Sequence, residues 1–129
     1  MPDVILIDTH IVIWLYEGLL TRIPLAVRQR LDRDALGISP VVHLEMGYLH
    51  EIGRVRPEPQ SVLDELMTRI GLVIADVSAA ALCRAALSIT WTRDPFDRLL
   101  AAHATIANLP IVTKDERLRR HLPLAWWAE

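Results

Sequence analysis

The chain has 129 residues, 52% of them hydrophobic and 23% charged, and a formal net charge of −2. This length suits one domain, residues 1–129, and the composition excludes a disordered chain. The charge excludes nucleic-acid binding through a bulk positive field, so any contact with a polyanion must be local. Cys83 is the only cysteine; an intrachain disulfide is impossible, which fits a reducing cytoplasm. The opening Met-Pro-Asp-Val-Ile-Leu-Ile-Asp lacks a basic stretch, and its apolar run is too short for a signal peptide or a membrane span. A soluble, cytoplasmic protein with no membrane contact is expected.

Residues 4–7 are continuously apolar, as in a parallel strand covered on both faces. Short helices are expected over 11–16 and 25–31, and a second strand over 36–39. Ser39-Pro40 starts a helix, with serine at the cap and proline at the first position, running to Ile52 before Gly53. Residues 57–59 mark a loop, Ser61 opens a helix to Ile70, and 72–74 form a third strand. Ser78 caps an Ala-rich helix to Leu87, in which Cys83 reads as core. Asp94-Pro95 opens a helix to Ala107, followed by a strand over 111–113, a short helix over 116–121 and an edge strand over 124–127.

This alternation predicts an α/β fold with a doubly wound, mainly parallel central sheet flanked by helices. Ligands of such sheets sit at the carboxyl ends of the strands. Asp8 directly follows the first strand, and Asp115 follows the fourth after Lys114. A helix cap is the competing explanation for each. Glu45 shares a helical face with Val41, Tyr48, Leu49 and Ile52, so it reads as a carboxylate in the middle of an apolar stripe, in need of a cation or a shared proton. Asp94 and Asp97 have capping-box spacing, which explains Asp94 as the cap and leaves Asp97 to another role. Four converging carboxylates repel one another unless a cation neutralises them, and oxygen-only ligands select Mg²⁺ or Mn²⁺. Zinc fits poorly, because the five histidines lack ligand spacing. There is no Gly-rich phosphate loop.

The chain resembles PIN-domain ribonucleases, specifically VapC-type toxins of type II toxin–antitoxin pairs. The resemblance rests on Leu6-Ile7-Asp8-Thr9-His10, on Ser39-Pro40 through Glu45, on Arg93-Asp94-Pro95-Phe96-Asp97-Arg98-Leu99-Leu100-Ala101-Ala102, and on Ile111-Val112-Thr113-Lys114-Asp115-Glu116. It implies a PIN-like fold and a Mg²⁺- or Mn²⁺-dependent endoribonuclease that cleaves phosphodiester bonds in RNA. The family's acidic positions fall on Asp8, Glu45, Asp97 and Asp115. Thr9 and Thr113 fall where small hydroxyl residues line the site, and Asp94 has a supporting place. His103 stands where close relatives often carry glutamine, and Trp91-Thr92 where a histidine is common. A cognate antitoxin and a homodimer are implied in the same way. The helices opened by Ser61 and Ser78, with Leu63, Leu66, Met67, Leu82 and Leu87, also offer apolar surface for a second copy.

Asp8, Asp97 and Asp115 are the expected direct metal ligands, with Glu45 acting through water or on a second ion. An acidic pocket alone repels RNA, so nearby cations must help: Arg93, Arg98, Lys114 and Arg117, with Arg119 and Arg120 further out. Two rival readings remain. One is a receiver-like acidic pocket, for which only Asp76 could be phosphorylated; the other is a PIN-fold interaction module without catalysis or metal.

Overall fold

The computed structural model describes residues 4–129; the first three residues of the opening segment lie outside the described residues. In chain order the elements are β1 (Ile5–Ile7), α1 (Thr9–Glu17), α2 (Leu25–Arg33), β2 (Leu36–Ile38), α3 (Pro40–Glu51), α4 (Pro59–Ile70), β3 (Val73–Ile74), α5 (Ala79–Ala86), α6 (Pro95–Ala107), β4 (Ile111–Val112), α7 (Glu116–His121) and β5 (Ala125–Trp126). The strands form one sheet in the order β3-β2-β1-β4-β5, with every pairing parallel. β1 lies in the centre, with Ile5 opposite Leu36 on one side and Leu6 opposite Ile111 on the other. From β1 the chain winds outward first one way and then the other, so the order reverses between β1 and β4. The expected doubly wound α/β fold is therefore present, and its switch point lies where Asp8 and Asp115 leave the sheet.

Local sequence explains the elements that build this edge. β1 is buried along its whole length, as a strand covered by helices on both faces must be. Beside it, β2 needs Gly37, because a Cβ there would stand 2.9 Å from Cγ2 of Val4. Ser39 caps α3 by accepting from the Val41 N–H at 3.2 Å, with Pro40 in the first turn. α6 ends at Asn108, in the left-handed conformation that asparagine tolerates.

Three local expectations need correction. α4 begins at Pro59, with Glu58 at its cap position, two residues before Ser61, because a proline is well suited to the first helical turn. Leu20–Arg22 forms a 3₁₀ turn that the sequence reading did not assign. Cys83 is exposed: α5 turns Leu82 and Ala86 inward, and Cys83 falls one position off that stripe.

Candidate metal-binding active site

Asp8 leaves β1 and becomes the N-cap of α1, where Oδ1 accepts from the Ile11 N–H at 3.2 Å. Its Oδ2 accepts from the hydroxyl of Thr113, which follows β4. That hydroxyl in turn accepts from the Asp115 N–H at 3.0 Å. Asp115 caps α7, with Oδ1 accepting from the Leu118 N–H at 2.8 Å. Capping and clustering therefore coexist at both positions. Each cap fixes one oxygen, and Thr113 ties the two strand ends together.

Glu45 arrives from α3. Its Oε1 accepts from the Thr9 hydroxyl at 2.5 Å, a contact spanning 36 residues. The apolar stripe drawn through Tyr48 and Ile52 is wrong: both are 49% exposed, and the buried face of α3 is Val41, Val42 and Met46. Glu45 is half-buried at the border of that face, held by Thr9, rather than sunk in its middle.

Asp94 is the N-cap of α6 and accepts from the N–H groups of Phe96 at 2.8 Å and Asp97 at 3.3 Å. Asp97 follows in the first turn, half-buried, and no hydrogen-bond donor reaches its carboxylate among the described residues. Further along the same helix the fully buried His103 stands 2.7 Å from the Ser39 hydroxyl. Ser39 Oγ also accepts from the Val41 N–H, so one hydroxyl serves both the cap of α3 and the bond to His103 Nδ1. This bond fastens α6 to the start of α3, the two helices that carry Asp97 and Glu45. Burial also holds the His103 pKa below the usual histidine range.

The carboxylates sense one another. Burial first, then the charges of Asp94, Asp115, Glu45 and Asp8, push the Asp97 pKa up to about 7. Burial raises Asp8, against the opposing hydrogen bond from Thr113. Burial likewise raises Glu45, against the hydrogen bond from Thr9. Such excess negative charge in a partly buried crevice, with oxygen as the sole donor atom, fits a hard divalent cation in its chemistry. In the conformation described, no group of three or more histidine, cysteine, aspartate or glutamate side chains among the described residues is placed to hold one ion. The carboxylates of Asp8 and Asp115 are engaged by the N–H groups of the helices they cap, and those of Asp8 and Glu45 by the hydroxyls of Thr113 and Thr9.

Two unlike recesses adjoin the acids. One, of about 410 Å³, is lined by Asp97, Asp115, Glu116, Arg117 and Arg120. The other, of about 290 Å³, is lined by Asp8, His10, Trp14, Lys114 and Asp115. Of the cations expected to meet RNA, Lys114 and Arg117 are thus brought to the crevice and are exposed, and so is Arg120, which was expected further out. Arg98 is otherwise engaged: its Nε donates to the Thr92 carbonyl at 2.7 Å, fastening the loop before α6. Arg93 is exposed and lines neither recess, and Arg119 donates to the Lys114 carbonyl at 3.2 Å. The sequence reading missed His10 and Trp14, whose four-residue spacing on one helix was the available signal. Asp76 follows the edge strand β3, away from the switch point, which removes the receiver-like alternative.

The PIN domain family model matches residues 5–121. Ribonuclease VapC22 of Mycobacterium tuberculosis is 31% identical over 120 residues, 91% of each chain. Among solved structures, VapBC2 from Rickettsia felis bound to a promoter DNA fragment superposes with a TM-score of 0.67 at 21% identity, over 97% of this chain and 99% of that one. A toxin–antitoxin complex from Klebsiella pneumoniae gives a TM-score of 0.66 at 19% identity over 95% of both chains. DNA-bound VapBC from Salmonella typhimurium gives 0.65 at 20% identity, again over 95% of both. With its family match running through all four acidic positions, the chain belongs to the PIN-domain family, among its VapC-type members.

Proposed function

We propose that the protein is a Mg²⁺- or Mn²⁺-dependent endoribonuclease, the toxin of a toxin–antitoxin pair, acting in the cytoplasm. The observation that carries this reading is that the charges of Asp115, Glu45 and Asp8 all act on the half-buried Asp97 beside the switch point, which leaves it in want of a cation. Support comes from the relative named a ribonuclease and from the solved complexes named toxin–antitoxin pairs. Among the described residues no helix is long and apolar enough to cross a membrane.

Asp8, Asp97 and Asp115 would hold the ion, with Glu45 reaching it through water or holding a second. What an ion supplies there is neutralisation of phosphate charge and activation of a water nucleophile. The chain's own groups do the rest. Thr9 and Thr113 orient the carboxylates of Glu45 and Asp8. Arg117 and Lys114 offset the acidic field that would otherwise turn RNA away. Asp94 holds the start of α6 and so the place of Asp97.

The apolar faces expected to pair two copies need revision. Leu63, Leu66 and Leu82 belong to the core, whereas Met67 and Leu87 are exposed. Ile70 at the end of α4 and Val73 and Ile74 of β3 are exposed as well, and a homodimer would cover apolar surface of this kind. The test of function is cleavage of single-stranded RNA with Mn²⁺, with Mg²⁺ and with chelator, together with calorimetry of each metal. Metal binding with metal-dependent cleavage is expected. No heat of binding and no cleavage would instead establish a non-catalytic interaction module.

A further inference from the structure

We propose that the recess beside Asp8 is a base-stacking subsite, which takes the base of the nucleotide next to the scissile phosphate of a single-stranded RNA. This rests on reading the acidic crevice as the cleavage site. His10 and Trp14 stand one turn apart on α1, their ring centroids 6.1 Å apart and their planes inclined at 52°. Trp14 is half-buried and packed on the core, so its ring is fixed in place, while His10 is exposed. With Lys114 they line a recess of about 290 Å³ whose remaining lining residues are Asp8 and Asp115.

Asp115 also lines the recess of Arg117 and Arg120, so the acids divide a charged hollow from an aromatic one. A site that grips only phosphate has use for the arginines and none for the rings. Every nucleobase presents a flat π face, and bases stack on aromatic side chains with little regard to sequence. Bases are free to do so in single strands and loops, not in a duplex. Lys114 stands where it can meet the phosphate of the same nucleotide. A stacked base strengthens binding about tenfold or more.

The test is anisotropy of a labelled single-stranded oligoribonucleotide, and of an abasic strand of equal length, binding to Asp97→Asn protein, which leaves the strand intact. The base-containing strand is expected to bind about tenfold more tightly. His10→Ala and Trp14→Ala should erase most of that difference, and Trp14→Phe should restore it. His10 is exposed, so its variant keeps the fold even if Trp14→Ala does not. Equal binding of the two strands, or a preference unchanged in His10→Ala, overturns the subsite; so does failure of both strands to bind, which would leave the recess to a protein partner. Cleavage by the unmodified protein is scored separately. Base-dependent binding without cleavage refutes the nuclease reading and keeps the subsite, whereas cleavage without base dependence does the reverse.

Discussion

At the carboxyl end of β1 the chain buries what it would ordinarily expose: Asp8, Thr9 and Thr113 are all buried. At the far edge of the sheet it exposes what it would ordinarily bury: Val73 and Ile74 are 44% and 40% exposed. Buried carboxylates are costly unless paired, and exposed apolar clusters mark surfaces that something else covers. Each departure therefore points to a missing partner of opposite kind, a cation in the crevice and an apolar surface at the β3 edge. The crevice is held by hydrogen bonds that fix its side chains, whereas the edge presents side chains with no comparable tether. Altering either region should therefore change a different property.

The largest effect is expected from Asp97→Asn. Cleavage should fall by more than about 100-fold, beyond the range usual for groups that only support a ligand. Stability of the metal-free protein should stay equal or rise, because a charge repelled by four neighbours has been removed. RNA cleavage assays and guanidinium melts on the same preparation measure both. Full activity in Asp97→Asn would show that the acids do not act together.

At the other region, light scattering at micromolar concentration should give a dimer mass for the unmodified protein. Ile74→Asp should halve that mass and lower the melting temperature only by what dimerisation contributes, since the side chain is exposed in the single chain. A monomer at the outset would break the comparison, leaving the β3 edge without a second copy to cover it.

The crevice also sets a pH dependence. Asp97 has its pKa raised from 3.8 to about 7. Between those values the folded protein holds a proton that the unfolded chain has lost, so stability of the metal-free protein should fall as pH rises from about 4 to 7 and level off above. Asp8 and Glu45, also raised, act in the same direction. At neutral pH, Mn²⁺ at about 100 times its Kd should return about 2.7 kcal/mol. Melting temperatures across pH, with and without metal, measure both. A profile that rises from pH 4 to 7 would show that the acids are not mutually repelling.

The sequence made the crevice more legible than its construction. Strand ends are readable from apolar runs, so Asp8 and Asp115 could be located by position alone. Glu45 was reached by a faulty route: Tyr48 and Ile52 looked like a buried stripe, but α3 packs through Val41, Val42 and Met46. Helical periodicity cannot tell which of two adjacent apolar faces meets the core. Nor could it show that Thr9 and Thr113 restrain Glu45 and Asp8, because those contacts span 36 and 105 residues. Capping and metal binding looked like competitors in the sequence. A carboxylate has two oxygens, so Asp115 can cap α7 with one and leave the other for the crevice.

The smallest expected effect separates cap from charge at Asp94. Its carboxylate accepts from two N–H groups at the start of α6, yet it also helps raise the pKa of Asp97. Asp94→Ala removes both influences. The lost cap should cost about 1 kcal/mol, with the relief of repulsion offsetting part of it. Asp94→Ser keeps a capping oxygen without the charge, so its metal-free form should melt at or above the unmodified protein, and above Asp94→Ala. Both variants should keep measurable cleavage at low temperature, reduced by at most about 10–100-fold if α6 shifts and carries Asp97 with it. Chemical melts of the three proteins without metal rank the two influences. If serine and alanine were equally destabilised, the negative charge at the start of α6 would outweigh the hydrogen bonds, and Asp94 would be acting through the helix dipole. If alanine were stable but inactive, Asp94 would belong among the ligands in place of Asp97.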